Sequence, residues 1–180
     1  MTEKNGTIYN GRIIDLKIEN HRLPDGREAA FEIVRHPGGA AVLPVLDDGR
    51  LVLIRQYRAP VGRMVLEIPA GKLDGGEPPS QCAERELIEE TGFRAARLEK
   101  LGEMLTAVGF CDELLHLYIA SELNAVGRNL EPDEFIETVI IPAREAFDLV
   151  DRGEITDGKT QLALLMYRQQ RQDNNEGHRT

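Results

Sequence analysis

The stretch "GKLDGGEPPSQCAERELIEETGF", residues 71–93, concentrates acidic residues on what reads as one short helix. Pro78 and Pro79 favour a helix start, because the first helical turn does not use the N–H groups that proline lacks. Gly92 favours a helix end, because glycine readily adopts the left-handed conformation of a C-terminal cap. These signals predict a helix over residues 79–91, which carries most of the negative charge of the stretch.

Three glutamates of this helix are predicted to share one face. At 100° per residue, Glu86 and Glu90 lie about 40° apart, and Glu89 lies about 60° to the other side of Glu86. Like charges at this spacing cost only a few tenths of a kcal/mol in water, so a solvated face with Arg85 paired to Glu89 is one interpretation. The alternative is a hard divalent cation, since Mg²⁺ takes oxygen ligands and is usually held by carboxylates together with substrate phosphates.

Composition limits the classes of function. The chain has 180 residues, about the size of one domain, and a formal net charge of -9, which disfavours nucleic acid as a partner. No apolar run approaches the roughly 20 residues of a membrane span, and the first residues lack the apolar core of a secretory signal. Cys82 and Cys111 have no metal-type spacing, so we expect a protein of the reducing cytoplasm.

Strands and helices alternate along the rest of the chain. Two runs rich in β-branched residues within 11–36 flank the turn sequence Pro24-Asp25-Gly26, which predicts an N-terminal antiparallel hairpin. Further strands are predicted over 40–46, 50–57, 64–69, 114–121 and 135–142, and further helices over 143–153 and 159–170. This order predicts an α/β (α+β) fold, an α/β/α sandwich of mixed sheets.

The opening stretch matches a known motif at every position. It fits the Nudix box, G-x5-E-x7-R-E-U-x-E-E-x-G-U with U a bulky apolar residue, through Gly71, Glu77, Arg85, Glu86, Leu87, Glu89, Glu90, Gly92 and Phe93. The segments "HPGGAAVLPV", "LIRQYRAP", "LEIPAGKLD", "ELLHLYIA" and "DGKTQLALL" resemble the ADP-ribose pyrophosphatase branch of the Nudix hydrolases. The resemblance spans roughly residues 8–168 and implies the Nudix-type sandwich.

The resemblance also implies a reaction and its metal ligands. Relatives hydrolyse the diphosphate linkage of ADP-ribose to AMP and ribose 5-phosphate with Mg²⁺, for which Mn²⁺ substitutes. By similarity Glu86 and Glu90 are direct metal ligands, Glu89 assists them, and the backbone carbonyl of Ala70 completes a site. Arg85 would orient the glutamates.

Further site residues follow from the same resemblance. Glu113 is the candidate for the general base or for an additional metal ligand, and an exposed loop glutamate is its structural alternative. Arg58 would contact the substrate phosphates and Glu67 a ribose hydroxyl. Arg55 is a second candidate for substrate contact, with ordinary surface charge as the alternative.

The loop "TAVGFCDE", residues 106–113, departs from the pattern of this branch, because Val108 stands where relatives carry a marker proline. Other nucleoside diphosphate sugars, such as GDP-mannose, are therefore alternative substrates. A sensor that binds ADP-ribose without cleaving it is disfavoured by the intact box. Sanitation of oxidised nucleoside triphosphates is disfavoured by the sequences that flank the box.

Assembly is predicted from the N-terminal hairpin, which is too small to own a core. We expect a β subdomain over residues 1–38 that mediates dimerisation, a catalytic domain over 39–170 and a flexible tail over 171–180. The resemblance implies a homodimer that exchanges N-terminal strands, and a monomer with the hairpin folded back on its own sheet is the alternative. The candidates for side chains that reach the partner's site are Tyr9, Phe31 and Arg35.

Overall fold

The computed structural model describes residues 6–128 and 135–177, which form three sheets and three α-helices. The strands are β1 (Gly6–Asn10), β2 (Asp15–Arg22), β3 (Glu28–Arg35), β4 (Gly39–Pro44), β5 (Arg50–Arg58), β6 (Arg63–Glu67), β7 (Ala70–Lys72), β8 (Phe93–Leu105), β9 (Leu114–Ala125) and β10 (Ile136–Pro142). The helices are α1 (Pro79–Glu86), α2 (Ala143–Asp151) and α3 (Gly158–Gly177). In this part of the chain no helix is both long and apolar enough to cross a membrane.

A mixed sheet in the order β7-β4-β9-β8 lies at the centre of the molecule. Its strand β4 runs parallel to β9, antiparallel to β7, and is buried along its whole length. Successive side chains of a strand point to opposite faces, and here Ala41 and Leu43 pack in the cluster that includes α2 and α3. Ala40 and Val42 pack against α1 on the other side. The predicted α/β/α sandwich is therefore confirmed.

The second sheet has the order β10-β5-β6 and is antiparallel throughout. Leu51 and Leu53 of β5 pack in the same core cluster as α2 and α3. Towards the end of β5 the two faces of the strand differ in exposure. Gln56 is buried, whereas Arg55 and Tyr57 on the other face are exposed. Side chains at this end of β5 therefore either enter the interior or face solvent.

The N-terminal sheet, β1-β2-β3, is also antiparallel. The predicted hairpin is present as β2 and β3, and β1 is an additional strand that the sequence pattern did not indicate. The Val34 N–H donates to the Phe110 carbonyl at 2.7 Å, which joins this sheet to the loop after β8. Ile8, Tyr9 and Phe31 on this sheet remain 43–57% exposed, so the described chain leaves much of the sheet's apolar surface uncovered.

Helix α1 begins at Pro79 as predicted and continues beyond Glu86 as a π-helical turn over Leu87–Thr91. Gly92 ends the turn with a φ of 77°, and its N–H donates to the carbonyl of Ile88 at 2.9 Å. The predicted extent of the helix is thus confirmed. The π-helical geometry was not predicted, and such turns recur at functional sites in proteins.

Two parts of the fold differ from the sequence predictions. Strand β8 was not predicted, because a bulge between Lys100 and Gly102 interrupts its alternation and many of its residues are charged. Helix α3 runs to Gly177, so residues 171–177 of the predicted flexible tail are helical. Contacts one turn apart support this polar segment, including a 2.8 Å hydrogen bond from Gln169 to Asp173. Residues 178–180 lie outside the described residues.

Candidate active site

The glutamates of α1 are not a uniformly solvated face. Glu90 is 1% exposed and Glu86 is 7% exposed, whereas Glu84 on the same helix faces solvent. Glu89 is half-buried. Burial of a carboxylate is costly unless a cation or hydrogen-bond donors compensate it, so the partners of these groups decide what the helix can do.

Arg85 is the cation at the centre of this group. Its guanidinium donates to Glu86 Oε1 at 2.6 Å, to Glu89 Oε2 at 3.0 Å and to Glu77 Oε1 at 2.8 Å. We call these four residues the helix cluster. The hydrogen bond from Arg85 lowers the pKa of Glu77, and the carboxylates, Glu77 first, raise the pKa of Arg85. One guanidinium therefore contacts three carboxylates.

Strand β7 packs closely against the helix cluster. The Ala70 N–H donates to Glu90 Oε2 at 2.9 Å, and the Lys72 carbonyl accepts a hydrogen bond from Arg85 at 3.1 Å. A Cβ atom on Gly71 would lie 1.7 Å from Glu86 Oε1, so a larger residue at this position would require the Glu86 carboxylate to move. The strand thus brings backbone groups into the space beside the glutamates, including Ala70, whose carbonyl was predicted as a ligand.

Cys82 lies beneath the same strand. Its Sγ is 3.5 Å from the carbonyl oxygens of both Gly71 and Lys72, and burial raises the pKa of the thiol to about 12. A thiol that stays protonated at neutral pH is a poor nucleophile and a poor metal ligand. Cys82 therefore contributes packing.

The donor set of this region fits a hard divalent cation. Carboxylate oxygens of Glu86, Glu89 and Glu90 and the Ala70 carbonyl are the ligand types that Mg²⁺ prefers. As the side chains stand, no three His, Cys, Asp or Glu residues within 6–128 and 135–177 are gathered closely enough to hold a metal ion. Arg85 instead supplies the positive charge between Glu86 and Glu89. Metal binding therefore requires these carboxylates to turn from Arg85 towards the ion.

A second charged group, the strand cluster, consists of Arg58, Glu67, Asp157 and Lys159. Arg58 donates to both oxygens of Glu67 at 2.8 Å, and Lys159 contacts Glu67 and, at 3.1 Å, Asp157. Glu67 is 1% exposed. Burial acts to raise the pKa of Glu67, but Arg58 and Lys159 together outweigh it and lower that pKa. Two cations and two carboxylates balance in this cluster.

The first residues of α3 hold Lys159 in place. Asp157 accepts hydrogen bonds from the Thr160 N–H at 3.0 Å and from its hydroxyl at 2.6 Å, which caps the helix start. The Thr160 hydroxyl in turn accepts from the Ile68 N–H at 2.9 Å, which fastens α3 to the chain after β6. Sequence reasoning missed Lys159. The signal was available in "DGKT", where an Asp three residues before a Thr is typical of a capped helix start.

Two cavities of about 370 Å³ each adjoin these clusters. The helix cavity is lined by Arg12, Ile13, Gln56, Arg58, Ala70, Gly71, Lys72, Asp74, Arg85, Glu86, Glu89 and Glu90. The loop cavity is lined by His36, Arg58, Ala70, Gly71, Lys72, Met104, Thr106, Glu113, Leu115, Asp157, Gly158 and Lys159. Arg58 and residues 70–72 line both, so the two cavities share part of their walls.

Glu113 lines the loop cavity and does not line the helix cavity. Its carboxylate accepts a 2.7 Å hydrogen bond from the Thr106 hydroxyl and lies 3.5 Å from His36 Nδ1. It is therefore an anchored and accessible acid rather than a free loop residue. Its role as general base or metal ligand stays a prediction. No sequence signal pointed to His36, which the fold brings beside it.

The remaining predicted substrate residues differ in their placement. Arg35 donates to Glu19 Oε1 at 2.9 Å and to Asp112 Oδ2 at 2.8 Å, so its guanidinium links the N-terminal sheet to the loop before β9. Arg55 is exposed and lines neither the helix cavity nor the loop cavity. It lies three residues from Arg58 on β5, a spacing that puts the two side chains on opposite faces of the strand. Their contacts with substrate stay predictions.

Comparisons with known proteins agree with this arrangement. The family model described as NUDIX domain matches residues 35–175. The chain is 43% identical over 159 residues to the ADP-ribose pyrophosphatase of Bacillus subtilis, an alignment that covers 87% of this chain and 86% of that protein. It is 40% identical over 152 residues to the GDP-mannose pyrophosphatase of Cronobacter sakazakii, covering 74% and 78% of the two chains. A crystal structure of an ADP compounds hydrolase shares the fold, with a TM-score of 0.81 at 24% identity over 95% of this chain and 93% of that one.

Proposed function

The chain belongs to the NUDIX domain family, and from this premise we propose that it hydrolyses the diphosphate linkage of ADP-ribose to AMP and ribose 5-phosphate. The observation that carries the proposal is the pair of buried carboxylates, Glu86 and Glu90, beside a cavity that also holds Arg58. This arrangement offers ligands for a cation next to a donor for phosphate. The Bacillus subtilis relative, named ADP-ribose pyrophosphatase, supports the choice of substrate.

The proposed metal site consists of Glu86 and Glu90, assisted by Glu89 and the Ala70 carbonyl. When bound there, a divalent ion polarises phosphoryl oxygens and lowers the pKa of a coordinated water. We propose Mg²⁺, with Mn²⁺ as a substitute, because the donors are all oxygen atoms. Arg85 would orient the glutamates beside the ion.

The proposed phosphate contacts come from the strand cluster. The guanidinium of Arg58 is fixed by two hydrogen bonds to Glu67, which keeps a planar donor group at the border of both cavities. Glu113 accepts the proton of the attacking water or is a further metal ligand. Glu113 belongs to the loop over residues 106–113, and its acidic side chain lines the loop cavity.

Other nucleoside diphosphate sugars are the alternative substrates. Val108, in the position of the marker proline, is 76% exposed, so it leaves the loop surface different from that of the branch it resembles. The Cronobacter sakazakii relative is named for GDP-mannose. A sensor without turnover is less favoured, because both buried glutamates of the motif are present.

The test is a panel of nucleoside diphosphate sugars incubated with Mg²⁺ or Mn²⁺, with products separated by chromatography. We expect AMP and ribose 5-phosphate from ADP-ribose, with a higher kcat/KM than for any other compound of the panel. A higher kcat/KM for GDP-mannose would replace ADP-ribose as the substrate. Binding of ADP-ribose without any product would favour the sensor.

We also propose a homodimer that is held by the N-terminal strands. The exposed apolar side chains of β1 and β3, Tyr9 and Phe31 among them, need a covering surface, and the described chain does not supply it. Light scattering at micromolar concentration should report twice the chain mass, and deletion of residues 1–36 should abolish both dimerisation and activity. A fully active monomer would refute the shared site.

A cytoplasmic location is proposed from the cysteines. Cys82 and Cys111 are both free thiols, one buried and one half-buried. Free thiols of this kind suit a reducing compartment, in which disulfides are rare. Fractionation of cells that express the protein, with immunodetection of each fraction, tests the location, and recovery outside the cytoplasmic fraction would contradict it.

A further inference from the structure

Two residues that line the helix cavity each have a buried polar atom without a hydrogen-bond partner in the described part of the chain. Among the residues that the structure describes, the buried side-chain nitrogen and oxygen atoms without a hydrogen-bond partner are Gln56 Oε1 and Arg85 Nε. Both residues line the helix cavity. Buried polar groups in native proteins are nearly always paired, so these two unpaired atoms of cavity-lining residues require an explanation.

The position of Gln56 gives its amide little freedom to find another partner. The residue is 9% exposed and lies on β5, the middle strand of its sheet, opposite Val65 of β6 and Ile136 of β10. Backbone pairing on both sides fixes the direction in which the side chain leaves the strand. An apolar side chain of similar size would fill this place without the cost of desolvating an amide.

We propose that Gln56 is a binding residue of the active site. Its amide oxygen accepts a hydrogen bond from an O–H group, either of the bound substrate or of a water on the bound metal ion. The inference rests on the proposed function, because it takes the helix cavity as the place where both bind. Deprotonated phosphate oxygens lack hydrogen and cannot satisfy this acceptor. The O–H donors that remain are a ribose hydroxyl and a water in the hydration shell of the divalent ion held by Glu86 and Glu90.

The test compares Gln56→Leu, which removes the acceptor at similar volume, with Gln56→Glu, which retains acceptor oxygens. Gln81→Leu is the matched control, because Gln81 is an exposed glutamine on α1. Three quantities are measured, none of which requires turnover. They are the urea midpoint of unfolding in the absence of ligands, the affinity for Mn²⁺ by calorimetry, and the affinity for ADP-ribose in the presence of a metal chelator.

We expect Gln56→Leu to unfold at the wild-type urea concentration or above it, because Gln56 Oε1 has no hydrogen-bond partner among residues 6–128 and 135–177. One of the two affinities should fall about fivefold to tenfold, the effect of one lost hydrogen bond, and Gln56→Glu should retain more of it. Loss of Mn²⁺ affinity would identify the hydration water as the donor, and loss of ADP-ribose affinity in chelator would identify a ribose hydroxyl.

Other results would overturn the inference. If both affinities of Gln56→Leu stay within about twofold of wild type, or if its unfolding midpoint falls while the affinities do not, Gln56 is a structural residue. Should Gln56→Leu not fold, the same criteria apply to Gln56→Met. Wild-type protein that binds neither Mn²⁺ nor ADP-ribose would contradict the proposed function itself, which separates that failure from a failure confined to the Gln56 variants.

Discussion

The helix cluster and the strand cluster use the same residue types with opposite outcomes. In the helix cluster one guanidinium, that of Arg85, contacts three carboxylates, and the buried Glu90 lies beside them. In the strand cluster two cations, Arg58 and Lys159, match two carboxylates. Carboxylates therefore outnumber cations among the named residues of the first group, whereas the two are equal in number in the second.

This difference predicts different roles for the two clusters: the helix cluster binds a cation, and the strand cluster holds Arg58 in position. A complete buried network is expensive to break, because loss of one partner leaves an uncompensated charge. A group of neighbouring carboxylates favours a bound divalent cation, which stabilises their charged forms. Removal of a carboxylate should therefore cost activity but little stability in the helix cluster, whereas in the strand cluster it should cost stability.

The largest expected effect is on turnover in the helix cluster. Glu86→Gln and Glu90→Gln should each lower kcat by about three orders of magnitude or more, because a neutral amide keeps the shape but is a poor ligand for a hard cation. The urea midpoint of the metal-free protein should stay near or above that of wild type. Turnover of ADP-ribose and urea unfolding are the two measurements.

Glu84→Gln is the control for this pair, since it removes the same charge from an exposed position of α1. It should retain wild-type turnover. Equal loss in all three variants would mean that net charge, rather than a metal site, is responsible. Wild-type turnover in a folded Glu90→Gln variant would contradict the metal assignment.

The next largest effect on turnover is expected at Glu113, a carboxylate outside both clusters. Glu113 is anchored by Thr106 and lies near His36, so it completes neither network. We expect Glu113→Gln to lower kcat by about two orders of magnitude with a modest change in KM, as for a group that acts mainly in the transition state. Glu99→Gln, at an exposed position of β8, is the control. An effect on KM alone would reassign Glu113 to substrate binding.

The strand cluster should respond in stability. Glu67→Gln leaves Arg58 without its buried partner and should lower the free energy of unfolding at pH 7 by about 3 kcal/mol. It should also raise KM severalfold, because Arg58 loses its fixed orientation. Urea unfolding and steady-state kinetics measure the two effects. Unchanged stability would show that the cluster is not the complete network described here.

The pH dependence of stability follows from the lowered pKa of Glu67. Its folded-state pKa is below the ordinary value of 4.5, so its contribution is present above pH 4.5 and is lost as the pH falls through the folded-state pKa. The unfolding free energy of wild type should therefore decline below about pH 4.5. Glu67→Gln should decline less steeply over the same range, and parallel curves would contradict the assignment.

The smallest expected effect distinguishes two arginines of one strand. Arg58 belongs to the strand cluster and lines both cavities, whereas Arg55 is exposed on the opposite face of β5. Although the resemblance made Arg55 a candidate for substrate contact, its position predicts that Arg55→Ala changes kcat/KM by less than about twofold. Arg58→Ala in the same assay should lower kcat/KM far more, and equal effects would refute the distinction.

The helix cluster could be predicted from sequence because its members are local. Three of its four residues lie within Arg85–Glu89, where helical periodicity alone puts the glutamates on one face. The burial of Glu90 could not be predicted, because it involves β7, whose Ala70 N–H donates to the Glu90 carboxylate.

The strand cluster was only partly predictable, since it joins three distant segments. Register between β5 and β6 brings Arg58 near Glu67, and the capped start of α3 adds Lys159. Resemblance supplied the first two residues, whereas Lys159 is marked only by the capping pattern of "DGKT", which locates a helix start without indicating a contact to Glu67. Strand β8 was missed for a similar reason, because its pairing with β9 rather than its own alternation defines it.

The most direct test of the central claim is an equilibrium titration of Mn²⁺, followed by electron paramagnetic resonance of the free ion. The central claim is that the carboxylates of the helix cluster, with Glu90, bind a divalent cation. Wild type and Glu84→Gln should bind Mn²⁺ with equal affinity, and the E86Q/E90Q double variant should bind it at least about a hundredfold more weakly. Wild-type affinity in the folded double variant would contradict the claim.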